Sequence, residues 1–180
     1  MRTVLAFLFL AALAEAGPIG IGPWYEFGFD PEPFPAASGC QPADPAGVPC
    51  RVGISSQFLD SAPWTFTAPN PVLLSVTDAY FAGDSFSVFD FGVLLGSTPR
   101  VPLMPALGSL DPNLTFADPA YSHASFMLPA GSHSLTIDVE AAQILGEGFF
   151  RISEVPEPSH TALLAVVLAL FMRRACRNRT

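Results

Sequence analysis

The chain has 180 residues, 50% of them hydrophobic and only 13% charged, with a formal net charge of −8. That length suits one compact domain. Eight basic against 16 acidic side chains exclude a generic nucleic-acid binder, which needs a basic face to displace counterions from phosphate.

Residues 4–13 form an unbroken apolar run behind Met1-Arg2, and Ala14-Glu15-Ala16 and Gly17 follow. A basic start, a short apolar run and a small-x-small site are the three parts of a secretory signal peptide. As a helix the run reaches only ~15 Å, against a hydrocarbon layer of ~30 Å. The sequence therefore predicts an N-terminal signal helix within residues 1–16, cut between Ala16 and Gly17.

Residues 17–50 contain eight Pro and six Gly and read as an irregular arm. Trp24, Tyr25, Phe27, Phe29 and Phe34 are too many aromatics for a linker. They are expected to pack on the domain or to form a first edge strand at 24–29. Cys40 and Cys50 enclose nine residues, and in an exported chain such a pair is expected to form a disulfide that staples the arm. A metal site at the two thiols needs further ligands nearby, and the flanking sequence offers none.

From 51 to 154 a period of two dominates. Val72, Leu74 and Val76 alternate with Leu73, Ser75 and Thr77; Phe86 and Val88 with Ser85, Ser87 and Phe89. Leu135, Ile137 and Val139 alternate with Thr136, Asp138 and Glu140, and Phe150 and Ile152 with Phe149 and Arg151. Alternation of this kind marks half-buried antiparallel strands. With 61–68, 92–96 and 123–128 it gives seven or eight short strands and no sustained helical period outside the termini. The predicted fold is all-β, an antiparallel β-sandwich of jelly-roll or CUB-like style. The Pro-rich insert at 99–119 is long for a sandwich connection, and long loops often carry binding surface. Leu103, Met104 and Leu107 within it could equally fold back over an open sheet edge.

Few residues invite chemistry. Asp78, Asp84 and Asp90 sit at strand ends, and carboxylates grouped on loops are natural Ca²⁺ ligands. Local turn chemistry accounts for the same residues more simply, so the turn reading is preferred and no cofactor is assigned. His123, His133 and His160 show no metal-ligand spacing and read as single surface histidines. There is no Gly-x-Ser-x-Gly elbow, P-loop, dinucleotide fingerprint or zinc pattern, so no catalytic residue is named. Asn113-Leu114-Thr115 matches a glycosylation sequon, which alone carries little weight.

Toward the C-terminus stand Val155-Pro156-Glu157-Pro158-Ser159, then Thr161 and an apolar run at 162–172, then Arg173-Arg174, Arg177 and Arg179. Prolines flanking one residue hold it extended and offer no amide donor to a sheet, a form that a protease cleft accepts. A helix over 161–172 spans ~18 Å, short for a permanent anchor, and the Arg cluster favours the cytoplasmic side. This order of Pro-Glu-Pro, apolar helix and Arg cluster resembles the PEP-CTERM sorting signal of Gram-negative bacteria. The resemblance covers residues 155–180 and departs from the family in its short helix and in His160. It implies export, tethering to the inner membrane by the C-terminal transmembrane helix, processing by an exosortase, and a final place at the cell surface or in an extracellular polysaccharide or biofilm matrix. Cys176 lies beyond the helix and cannot share the Cys40–Cys50 bond.

The segments Pro63-Trp64-Thr65-Phe66-Thr67, 76–86, Phe89-Asp90-Phe91-Gly92, 118–122 and 130–137 also resemble an uncharacterised extracellular domain seen among such proteins, which implies no activity. The chain thus divides into a signal peptide (1–16), an arm (17–50), a β-domain (51–154) and a sorting signal (155–180). The expected function is a non-enzymatic surface or matrix component, with a lectin-like, calcium-assisted carbohydrate-binding module as the alternative. Residues 17–158 carry fifteen acids against three Arg, so the exported part is more acidic than the whole, which disfavours adhesion to anionic surfaces without a bridging cation.

Overall fold

The computed structural model describes residues 17–30, 36–142 and 146–155. The expected signal helix, the Pro-Glu-Pro triplet, His160, the helix at 161–172 and the Arg tail lie outside the described residues. Among those described, no helix is long and apolar enough to cross a membrane.

In chain order the elements are β1 (Gly17–Pro18), β2 (Trp24–Phe29), β3 (Cys40–Gln41), β4 (Val48–Pro49), β5 (Ser56–Phe58), β6 (Trp64–Ala68), β7 (Val72–Asp78) and β8 (Tyr80–Ala82). There follow β9 (Ser85–Asp90), β10 (Val93–Ser97), β11 (Met104–Ser109), α1 (Pro112–Ala117), β12 (His123–Leu128), β13 (Gly131–Ala141) and β14 (Gly146–Glu154). The fold is all-β and sandwich-like. One five-stranded sheet runs β1-β6-β13-β9-β10 and the other β12-β7-β14-β2-β5; β11 pairs with β8, and β3 with β4.

Alternation along each strand makes the core. Trp64 and Phe66, Phe86 and Val88, and Leu135 and Ile137 from the first sheet meet Tyr25, Phe27 and Phe29, Leu74 and Val76, and Phe150 and Ile152 from the second in one buried cluster. Phe27 is fully buried between the sheets, 5.2 Å from Phe86 in an edge-on contact and within 6.3 Å of Trp64 and Phe150. Edge-to-face rings of this kind add to the area they bury.

Both long sides of the core are bridged. On one, residues 36–38 reach between the sheets, with Gly28 and Ser38 exchanging backbone bonds and Ala37 N–H donating to the Ile137 carbonyl. On the other, Ser122 Oγ lies 2.6 Å from Thr98 Oγ1, which accepts from Phe86 N–H, and Ser122 Oγ also donates to the Pro99 carbonyl.

Three sequence expectations change. Strand β2 exists but is not an edge, because β14 pairs on one side and the parallel β5 on the other. All six of its residues are buried, since its core face meets the opposite sheet and its outer face is covered by residues 50–56 and α1. The segment 17–50 thus contributes a strand to the body of the domain. Second, a helix does occur. Asp111 caps it by accepting from Asn113 N–H, and Pro112 opens its first turn, where a missing amide costs nothing. Six residues are too few for a helical period to register. Third, the insert at 99–119 is not an irregular loop, although Leu103 and Met104 in it stay exposed. Its backbone forms β11 against β8 instead.

Candidate functional site

The acidic residues singled out from the sequence separate into two places. Strand β7 ends in Asp78, and the chain then turns so tightly through β8 that its own amides close on the carboxylate. Asp78 Oδ1 accepts from Ala79 N–H at 2.7 Å, and Oδ2 accepts from Gly83 N–H at 2.9 Å and Asp84 N–H at 3.0 Å. Gly83 sits at φ 144°, a conformation that glycine adopts without a side-chain clash. Burial, reinforced by the charge of Asp84, pushes the Asp78 carboxyl up to about 8, against the pull of the three amides. Asp84 is buried beside it.

Asp90 does not join them. Asp84 precedes β9 and Asp90 ends it, which sets them ~20 Å apart at ~3.3 Å per residue. Asp90 instead ties the end of β9 to β13, just before a turn that places Phe91 at φ 48° and Gly92 at φ 74°. Its Oδ1 accepts from Ser134 N–H at 2.9 Å, and its Oδ2 lies 2.8 Å from His133 Nδ1. His133 is therefore no surface histidine. It is buried, stacked on Phe66 at 4.8 Å, and its Nε2 lies 3.0 Å from the Pro129 carbonyl oxygen. Asp84 and Asp90 bound opposite ends of one strand, so the three carboxylates do not share one rim, and those of Asp78 and Asp90 accept backbone amides instead.

The Cys40–Cys50 disulfide is formed, with a Cα–Cα separation of 5.4 Å. It lies across Gly28 of β2, where an added Cβ would come within 2.8 Å of Cys50 Sγ and would overlap Val48. Beneath it is a residue the sequence reading passed over. A carboxylate oxygen of Glu26 and the two sulfurs all lie within 4.8 Å of one another. Both thiols are consumed in the disulfide, so this is no thiolate metal site in the oxidised protein.

Glu26 is fully buried on the outer face of β2. Its Oε2 accepts from Gly53 N–H at 3.0 Å and from Ser56 Oγ at 2.9 Å. One strand over on β14, Glu147 Oε1 accepts from Arg51 N–H at 2.7 Å. Among the described residues, Glu26 Oε1, Glu147 Oε2 and Arg151 Nε are buried without a hydrogen-bond partner. Burial pushes the Glu26 carboxyl up to about 7; the amide and hydroxyl donors oppose this, and the Glu147 charge adds to it. Glu147 is raised by burial and held back by Arg51. A carboxyl poised near neutrality is chemically able to give or take a proton at ordinary pH. The sequence did hold a signal: Glu26 is the single charge in the strand WYEFGF, a hexapeptide otherwise built for burial.

A cavity lies elsewhere, beside the helix. Ser109, Leu114, Ala117, Asp118 and Tyr121 line an open cavity of about 370 Å³ beside α1. Tyr121 closes its floor, with its hydroxyl donating to the Tyr80 carbonyl at 3.0 Å, while Arg51 lies 3.8 Å over the Tyr80 ring.

A scan against protein-family models finds no match, and a search of curated proteins likewise finds none.

Proposed function

We propose that this chain is an exported PEP-CTERM-type protein, processed by an exosortase, whose β-domain serves outside the cytoplasm as a non-enzymatic component of the surface or extracellular matrix. The observation that carries this reading is the succession along the sequence of Val155-Pro156-Glu157-Pro158, the apolar run at 162–172 and the Arg cluster from Arg173. The signal-like segment ending at Ala14, Ala16 and Gly17 supports it. So does the Cys40–Cys50 disulfide, since such bonds persist in oxidising compartments. Within this reading the two five-stranded sheets are a sandwich of jelly-roll or CUB-like style, and the partners are the export machinery, the exosortase and extracellular polysaccharide.

Intact mass of the exported protein from a native host tests the proposal. The expected mature form lacks Arg173 to Thr180; a mass that retains the Arg tail counts against exosortase processing. Binding to a glycan array with and without chelator then separates a matrix component from a calcium-assisted lectin. Turnover of any member of an ester, peptide and glycoside panel would overturn the non-enzymatic part.

A further inference from the structure

The buried acid beneath the disulfide has a use that the structural role of the bond does not require. Cys40 is fully buried, whereas Cys50 is partly exposed. A nucleophile from solvent therefore reaches Cys50 Sγ first, and Cys40 is the sulfur that must leave. The departing Cys40 thiolate would form in a buried place, 3.4 Å from the main-chain carbonyl oxygen of Glu26. Burial and a facing carbonyl both disfavour an anion there, so the bond opens readily only if the leaving sulfur is protonated as it departs. The Glu26 side chain is within 4.8 Å of both sulfurs. Its Oε2 is taken up by Gly53 and Ser56, and Oε1 is buried with no hydrogen-bond partner.

We infer that Cys40–Cys50 is an exchangeable disulfide in the folded protein, attacked at Cys50 Sγ, with Glu26 as the proton donor to Cys40. The co-reactant is a dithiol. One of its thiolates attacks Cys50 Sγ and forms a mixed disulfide. The Cys40–Cys50 bond breaks, its electron pair goes to Cys40 Sγ, and the Glu26 proton makes Cys40 a neutral thiol. The second thiolate of the dithiol displaces Cys50 and leaves as a cyclic or linked disulfide. Cys50 and Glu26 regain protons from solvent, equal in number to those the two attacking thiols released. Two electrons pass from dithiol to protein. In reverse, Glu26 takes the Cys40 proton as the bond forms.

The groups around Glu26 set when it carries that proton. Glu147 on β14 opposes its ionisation, while Arg51 on the covering segment donates its amide to Glu147. Arg151 on β14 is turned to the Trp24 ring at 4.5 Å, and Asp44 inside the disulfide loop is held by Gly39 and Ala46 amides. The Glu26 carboxyl, near 7, is thus still largely protonated in mildly acidic solution.

The test is native-state reduction of the full chain by dithiothreitol without denaturant. It is quenched by alkylation, read by mass, and normalised to thiolate concentration across a pH series. The normalised rate of the wild type should be highest in mild acid and fall as pH rises through neutrality. Glu26→Gln should remove that fall and slow the reaction by about a hundredfold in mild acid, the lower range of proton-transfer contributions, whereas a slowing of less than about ten-fold overturns the proposal. Glu147→Gln, which deletes the like charge, should move the fall to lower pH with its acid plateau intact. Should Glu26→Gln not fold, the wild-type and Glu147→Gln profiles decide alone. A flat wild-type profile, or no reduction without denaturant, overturns the assignment.

Discussion

Asp78 makes the stability of this domain depend on pH in an unusual direction. Its carboxyl is raised from an unfolded value near 4 to about 8 by burial and by the neighbouring Asp84 charge. Between those values the native state holds a proton that the unfolded chain has lost. Stability from this group is therefore fully present below about pH 4, declines as pH rises through the interval, and is gone above about pH 8. One proton's difference gives a slope of about 1.4 kcal/mol per pH unit, hence about 3 kcal/mol lost between pH 5 and pH 7. Glu26, raised to about 7, tilts the curve the same way. Asp78→Asn tests the reasoning. The amide cannot ionise, but it replaces one acceptor oxygen with a donor facing backbone N–H groups. It should lower stability near pH 5 by about 1–3 kcal/mol, the cost of leaving a buried donor unpaired. Its stability should then fall less steeply than that of the wild type, keeping the Glu26 contribution but losing that of Asp78, so that the two curves converge or cross. Urea unfolding at closely spaced pH values measures both lines. If the wild type is flat or rises from pH 5 to 7, or if the variant runs parallel to it, the argument fails.

Other expectations follow from packing. Phe27→Ala empties the centre of the aromatic cluster with Trp64, Phe86 and Phe150 and should cost about 3–5 kcal/mol in urea unfolding. The double variant Cys40→Ala, Cys50→Ala frees a loop of sequence separation 10. The chain-entropy argument puts its loss at about 2.7 kcal/mol, to be seen equally in wild-type protein unfolded in the presence of reductant. Gly28→Ala drives a methyl group against Val48 and Cys50 Sγ, where overpacking costs about 1–3 kcal/mol. It should raise the fraction of free thiol found by alkylation, which a distant variant of equal stability would not do.

The strands were legible because most of them present one apolar and one polar face. Val72-Leu74-Val76 and Leu135-Ile137-Val139 fix their own orientation, and the core they build is the one the structure contains. What was hidden is the second covering layer. Phe149 reads as the outward neighbour of Phe150, yet it is fully buried, packed with Trp24 and Ala79 under Phe116 of α1. A six-residue helix and the segment over Glu26 leave no periodic trace, so the outer sheet face looked solvent-facing. The same blind spot hid the site. The Cys40–Cys50 bond was foreseeable from spacing and compartment, but the acid beside it comes from position 26, brought beneath it by the Gly28–Ser38 bridge and the parallel pairing of β2 with β5. Asp78, Asp84 and Asp90 offered calcium only as the lesser reading beside turn chemistry, and the fold parts them because Asp84 and Asp90 bound one strand. His133 read as a surface residue because its acceptors, Asp90 and Pro129, are supplied by the hairpin turn and by a residue four positions earlier.

The covered face also joins the disulfide to the acids energetically. Cys50 pins the start of residues 50–56, and that segment supplies the Arg51 amide to Glu147 and the Gly53 amide to Glu26. Two effects act on each carboxylate in opposite directions. Burial under the segment raises its pKa, while the amides the segment donates lower it, and burial is the larger. Opening the disulfide loosens the tether that holds the segment down. Water then reaches Glu26 and Glu147, both relax toward ordinary carboxylate behaviour, and Glu26 loses its proton near neutral pH. Linkage requires the converse as well: ionising Glu26 works against the closed segment, and so against the geometry in which Cys40 and Cys50 meet. Reduction and deprotonation therefore favour each other at this site. The covering segment is the element through which they are coupled, since it starts at Cys50 and donates amides to both acids.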